Sequence, residues 1–414
     1  MTHLPQRLPA TRREFLRLSA QGIGLLAFTR YAPAFLAASA RAGVPDPRRD
    51  RPILVVVQLA GGNDGLNTLV PFENDRYYRL RPTLAIPRDQ VLRLDDHAGF
   101  NPAGAGLHQL AQEGRLAIIQ NVGYPNPNRS HFRSTDIWET ASGSDEVLAT
   151  GFVGRYFDAC CSGTPADADP LGVHVTGEVP EVFLADREHP TFGVSNLTGR
   201  LPRQEHLELL ERLLNRDAGD GNGDASFLRH TLMDALVTER KVARLLDDYR
   251  AAAEYPSTPF GVELRQVAAL IAGGLATRVY FVSLGGFDTH VDQLPRQARL
   301  LQTLGQGLVA FQRDLEAHHL DDQVIVMTFS EFGRRPMEND GRGTDHGTAA
   351  PLFVMGSRVR GGLHGRAPDL DVGRNQDLAF GIDFRQVYAT VIDRWLGGDS
   401  TAVLGRKFES LPFL

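Results

Sequence analysis

The sequence predicts an α/β fold with a mostly parallel central sheet and helices on both faces, and three observations predict it. Near-continuous apolar runs recur at residues 52–60 (PILVVVQLA), 116–121 (LAIIQN), 279–284 (VYFVSL) and 324–327 (VIVM). They lack the alternation of a half-exposed strand, as expected for strands covered on both faces. Each run gives way to glycine and polar residues, which is how strands end at a ligand-binding edge. Long amphipathic stretches at 226–253, 259–276 and 291–317 supply helices to cover the sheet.

With 414 residues, 42% of them hydrophobic, the chain can bury a large core, and one elaborated α/β domain or two smaller ones fits. A formal charge of -6 provides no basic field, which argues against nucleic acid as a partner. The cysteines are the adjacent pair Cys160 and Cys161. Neighbours in sequence cannot staple a fold together, and they read as buried or half-buried thiols.

The chain opens on an address. Thr11-Arg12-Arg13-Glu14-Phe15-Leu16 is followed by a mild apolar stretch at 22–28 and by Ala38-Ser39-Ala40, the layout of a twin-arginine export signal. Residues 1–40 are assigned to that signal and 41–414 to the mature domain. The translocase of that pathway is then a partner, and a periplasmic or secreted location follows. Twin-arginine export carries proteins that fold before crossing, and a metal loaded in the cytoplasm is one reason to need it. No later stretch is long and apolar enough to span a bilayer.

Chemistry-bearing residues collect where the strands stop. After the first strand, Gly61-Gly62-Asn63-Asp64-Gly65 is either ordinary turn chemistry or a turn that aims Asp64 into a crevice. A helix is expected at 102–113, then the second strand leads into Gly123–Ser134, whose prolines forbid continuing it. Ser130 precedes a helix expected at 134–141, so it is either a simple N-cap or a group facing an anion held by free N–H groups. His131 beside it reads equally as an ordinary histidine of surface or core.

The middle of the chain carries less. A strand piece is expected at 172–175 and a helix at 204–215, while the acids of 217–224 lack the glycine and glutamate of a calcium loop and read as a solvated loop. The strand at 279–284 repeats the first pattern and ends in Gly285-Gly286-Phe287-Asp288-Thr289-His290. Alternation puts Asp288 and His290 on one side of an extended segment, where both can bind one ion; the alternative is Asp288 capping the helix that follows. The strand at 324–327 delivers Ser330, Glu331 and Arg334, and a glycine-rich loop then brings Asp345 and His346 ahead of another strand at 349–355. Arg334 either grips an anion in a bidentate fork or pairs with a core acid. Carboxylates and imidazoles without thiolate suit zinc, manganese or a similar divalent ion, and Asp64, Asp288, His290, Glu331, Asp345 and His346 are enough for one or two.

The motifs GGNDGLN, RSHFRSTDIWET, GGFDTH, SEFGR and GTDHG, in this order behind the export signal, resemble the exported bacterial family catalogued as domain of unknown function 1501. That family looks like a branch of the alkaline phosphatase and sulfatase superfamily. The resemblance implies a three-layer α/β sandwich with surface insertions. It also implies metal ligands at Asp64, at Asp288 with His290, and at His346, with Ser130 as nucleophile and Ser134 as the other choice. Glu331-Phe332 departs from the usual Asp-His or Asp-Asn, so one metal site is altered by this pattern. Neither cysteine lies in the Cys-x-Pro-x-Arg context of sulfatases that use formylglycine.

The functional expectation is a metal-dependent hydrolase of phosphate or sulfate esters. Ser130 attacks, Arg334 steadies the anion, and the substrate is a small anionic ester or a sulfated or phosphorylated glycan. The alternative is an exported anion-binding, glycan-binding or assembly protein that keeps the fold without catalysis.

Overall fold

The computed structural model describes residues 51–161, 169–194, 238–373 and 376–414. The chain divides into Met1–Asp50 and Arg51–Leu414. The first unit, where the export signal is expected, lies outside the described residues, as do the helix expected at 204–215 and the acidic loop expected at 217–224.

The apolar runs become the strands expected of them, and three short strands at 191–193, 362–364 and 382–383 join them. In chain order the strands of the sheet are β1 (Ile53–Ala60), β2 (Leu116–Gly123), β3 (Gly172–His174), β4 (Thr191–Gly193), β5 (Val279–Gly285), β6 (Val324–Phe329), β7 (Ala350–Met355), β8 (Gly362–His364) and β9 (Ile382–Asp383). They form one sheet in the order β8-β2-β7-β6-β1-β5-β3-β4, with β9 beside β2. β1 lies between β5 and β6 and is parallel to both. β7 runs antiparallel to β6 and to β2, while the other pairs are parallel.

Among the described residues, helices that cover the sheet include α1 (Ala105–Gln112), α2 (His131–Thr140), α3 (Phe152–Cys160), α4 (Pro259–Ala272), α5 (Gln293–Ala317) and α6 (Phe384–Thr390). Strand alternation decides which face each residue serves. Ile53, Val55, Val57 and Leu59 of β1 enter an apolar layer with Leu107 of α1, Leu264 of α4 and Leu308 of α5. Leu54 and Val56 enter the opposite layer with Trp138 of α2, Phe157 of α3 and Val387 of α6. Burying each such side chain contributes about 1.5–3 kcal/mol, so β1 is held in the core from both faces.

Several boundaries move, each for a local reason. α2 begins at His131 rather than at residue 134, because Ser130 is extended (φ -86°, ψ 129°) and the helical turn starts directly after it. α4 ends at Ala272 rather than at 276, since Gly274 takes a left-handed φ of 74°. Asp292, not Asp288, is the residue that opens α5. The reading of Cys160 and Cys161 as thiols is corrected: they are joined in a disulfide between neighbours whose Cα atoms are 3.8 Å apart. The bond is possible because Cys160 ends α3 and Cys161 (φ -125°, ψ 20°) has left helical geometry. Among the described residues no helix is long and apolar enough to cross a membrane.

Candidate functional site

Because β1, β5 and β6 are parallel neighbours, the loops leaving their carboxyl ends lie side by side. β7 runs the other way, so the segment before it, Thr344–His346, returns to that same edge. Glycine makes the close approach possible. Gly61 has φ 118°, and a Cβ there would collide with the backbone nitrogen of Asp288. Gly62 has φ 84°, and a Cβ there would strike the Phe332 ring.

Asp288 is the focus of the edge. His346 Nε2 lies 3.1 Å and His290 Nε2 3.0 Å from its Oδ1, and His131 Nε2 lies 3.5 Å from its Oδ2. His290 Nε2 and His346 Nε2 are 2.9 Å apart. Donor atoms of His131, Asp288 and His346 all fall within 4.8 Å of one another, the spacing of ligands around one ion. Phe332 flanks the imidazoles, its ring centroid 4.5 Å from that of His346 and 4.9 Å from that of His131.

The far sides of the rings explain what the near sides can do. His346 Nδ1 faces the Arg129 carbonyl at 2.8 Å, and His131 Nδ1 faces Glu331 Oε1 at 2.8 Å. A carbonyl and a carboxylate only accept, so in the neutral ring each Nδ1 carries the proton and each Nε2 is left to present a lone pair. The two Nε2 atoms and the carboxylate converge beside Arg334 and His290, whose Nε2 lies 2.9 Å from His346 Nε2. A divalent cation satisfies that arrangement, and histidines whose other nitrogen is tied to an acceptor are the usual form of a metal-binding imidazole.

Arg334 is buried, and all its nitrogens are engaged. Nε donates to Gly62 O at 2.8 Å, Nη1 to Thr344 O at 2.8 Å, and Nη2 to Phe287 O at 3.0 Å, to Asp288 Oδ1 at 2.6 Å and to Gly61 O. The anion fork expected of it is therefore corrected: Arg334 laces the strand-end loops together and aims Asp288. Burial raises the Asp288 pKa, but the Arg334 hydrogen bond and the His346 contact outweigh it, with the charges of Arg334 and His290, and the carboxyl is pushed down to about 2.

The other expected residues separate into three groups. Asp288, His290 and His346 are brought together, with Arg334 against them. Glu331 and Asp345 stand one step further out. Glu331 Oε1 takes the Gly61 N–H at 2.8 Å as well as His131. Asp345 Oδ1 lies 3.5 Å from His290 Nδ1 and accepts from Asn339 at 3.1 Å, which is the largest cause holding its carboxyl below the usual range.

Asp64 stays outside the cluster altogether. Its Oδ1 accepts from Leu66 N and Asn67 N, and its Oδ2 from Arg81 Nη1 at 2.5 Å and from Gln293. Both partners of that ion pair are buried, Arg81 0% and Asp64 1% exposed, so the reading of Asp64 as a metal ligand is replaced by a saturated internal pair.

Ser130 is exposed at the N-terminus of α2, and its hydroxyl makes no capping hydrogen bond. Ser134 is buried, donates to Asn128 O at 2.8 Å and lies 3.3 Å from the Tyr124 hydroxyl, which takes it out of consideration as nucleophile. His131 is the residue that sequence reasoning passed over. Its signal was its place, directly after Ser130 on the segment that follows a core strand, the same rule that singled out Asp288.

Beside His131 and Glu331 opens a cavity of about 750 Å³ that runs along α2 to Glu139 and Val179. Glu139 is 5% exposed and accepts from Val182 N at 3.1 Å. Burial pushes its pKa up to about 7.

A search among curated proteins finds no match. Solved structures similar to this chain include a sulfatase from Pseudoalteromonas (10% identity, 97% of this chain and 75% of that one, TM-score 0.37). Others are the periplasmic domain of EptC from Escherichia coli in complex with zinc (9% identity, 75% and 75%, TM-score 0.33) and the phosphonate monoester hydrolase of Agrobacterium radiobacter (11%, 87% and 78%, TM-score 0.30). Over residues 116–406, more than half of its length, the chain matches the family described as Protein of unknown function (DUF1501), the family its motifs resemble, and it belongs to that family.

Proposed function

We propose that this protein is an exported, metal-dependent hydrolase of phosphate or sulfate esters, with Ser130 as nucleophile. The observation that carries the reading is the convergence of His131 Nε2, His346 Nε2 and the Asp288 carboxylate, three ligand-type groups within 4.8 Å of one another that suit one divalent cation. His131, Asp288 and His346 hold the ion, with His290 at hand as a further ligand. When bound, a zinc or manganese ion supplies Lewis-acid stabilisation of the charge on the ester oxygens. Arg334 and Glu331 orient the ligands.

Ser130 suits its role because its hydroxyl is not spent on capping α2. The first-turn N–H groups of α2 face the same place and favour an anion there. In the first step the Ser130 oxygen bonds to phosphorus or sulfur as the bond to the ester oxygen breaks, and the serine proton passes through solvent to that oxygen, which leaves as the alcohol. Water then cleaves the seryl ester and restores the hydroxyl.

The test uses purified mature protein exported by its own signal. Bound metal is quantified, and turnover of aryl phosphate and aryl sulfate is followed before and after chelation. Stoichiometric metal, activity lost on chelation and restored by the metal, and a Ser130→Ala variant that keeps the metal but not turnover are expected. A second reading, an exported anion- or glycan-binding protein, is favoured by the Arg81–Asp64 pair, which removes a ligand that a second ion requires. Metal-bound protein inert toward every ester tried decides for that reading.

A further inference from the structure

The cavity along α2 has a lining that the proposed chemistry uses only at His131 and Glu331. Its carboxylates among the described residues are Asp136, Glu139, Glu178, Glu181 and Glu331, and neither lysine nor arginine lines it. Arg133 pairs with Asp136. Among the described residues Glu139, Glu178, Glu181 and Glu331 make no ion pair to lysine or arginine.

Acids gathered together are not a site by themselves, and a separate observation points to a ligand. Glu331 is 2% exposed, lines the cavity, and has an Oε2 with no hydrogen-bond partner. A carboxylate oxygen in that position calls for a cationic or donor group from outside the chain. The mouth is also unusual: Phe132 is 91% exposed and Val179 53%, and both line the cavity.

An aromatic face held in water beside several carboxylates is the surface that retains an ammonium group, by ring quadrupole and by charge. A polyanion is repelled by the same field. An uncharged ring could stack on Phe132, but it would leave the carboxylates uncompensated.

We propose that this cavity binds a compact organic cation, an ammonium group carried on the alcohol half of the substrate. Its service as the alcohol subsite rests on the hydrolytic reading above; recognition of the cation does not.

Calorimetric titration of the full mature protein at about pH 8, where Glu139 is ionised, with choline and with its uncharged isostere, neohexyl alcohol, tests it. Choline is expected to bind about tenfold tighter or more than the isostere, and to weaken as salt rises. Glu139→Gln keeps an oxygen to accept the Val182 N–H, and Glu181→Gln lies at an exposed position, so neither is expected to unfold the chain. Each is expected to weaken choline binding several-fold without changing the bound metal, as is Phe132→Ala. Equal binding of choline and isostere, choline affinity indifferent to both glutamine variants, or retention of calcium with no binding of choline overturns the inference. Choline binding by a protein that hydrolyses no ester counts against the hydrolase alone. Hydrolysis of aryl esters by a protein without choline binding counts against the cavity alone.

Discussion

Asp64 after β1 and Asp288 after β5 follow the same script of core strand, paired glycines, one intervening residue and a carboxylate. Asp64 is sealed, its oxygens shared among two helix N–H groups, Arg81 and Gln293. Asp288 leaves 47% of its side chain exposed and gathers three imidazoles about it. The difference lies in what the neighbouring segments deliver. The short helix Asp75–Leu80 brings Arg81 over the first strand end, whereas α2 and the strand Thr344–His346 bring histidines over the second. A strand-end acid marks a position on the fold, and its partners decide whether it carries structure or chemistry.

The comparison breaks most visibly at Asp288. Asp288→Ala is expected to take the bound divalent ion from roughly one per chain to almost none, with circular dichroism unchanged, because the ligand set loses its anion. A variant that retains stoichiometric metal ends the assignment of that strand end to chemistry.

Arg81→Met probes the other strand end. It strands a buried carboxylate, and a cost of about 3–5 kcal/mol in urea unfolding is expected, with metal content unaltered wherever the chain is folded. Loss of metal at unchanged stability instead makes Asp64 part of the centre.

Glu331→Gln sharpens the boundary between the two behaviours. If Glu331 holds His131 in the tautomer that presents Nε2, metal affinity is expected to fall about 10- to 100-fold in competition with a chelator, with the fold intact. Unchanged affinity reduces the Glu331–His131 contact to a packing feature.

The smallest effect concerns the cavity wall. Glu139 keeps its proton to about pH 7 in the folded chain against 4.5 for the ordinary side chain, through burial. Between those values the folded state binds more protons than the unfolded one, so stability falls as pH rises across the window and levels off above it. Glu139→Gln removes that decline, and the variant is expected to gain about 3 kcal/mol on wild type above pH 7 while matching it below pH 4.5. Parallel pH profiles for the two proteins contradict the buried acid.

The sequence by itself determined the sheet and its covering helices, because near-continuous apolar runs such as 53–57 and 324–327, too short for helices, are buried as strands flanked on both faces. It also determined that acids and imidazoles would stand at the strand ends, since glycine and polar residues stop each run. Tertiary structure alone decided their partners. Arg334 could be read as an anion fork or a core ion pair until the carbonyls of Gly61, Gly62, Phe287 and Thr344 were seen to use its nitrogens. His131 gained its place only when β2, β6 and β5 set Glu331 on one side of its ring and Asp288 on the other. Local patterns of polarity act over a few residues and are written in the chain, whereas the Glu331–His131 and Arg81–Asp64 contacts join segments far apart in sequence. Which donor meets which acceptor is decided only when the sheet closes.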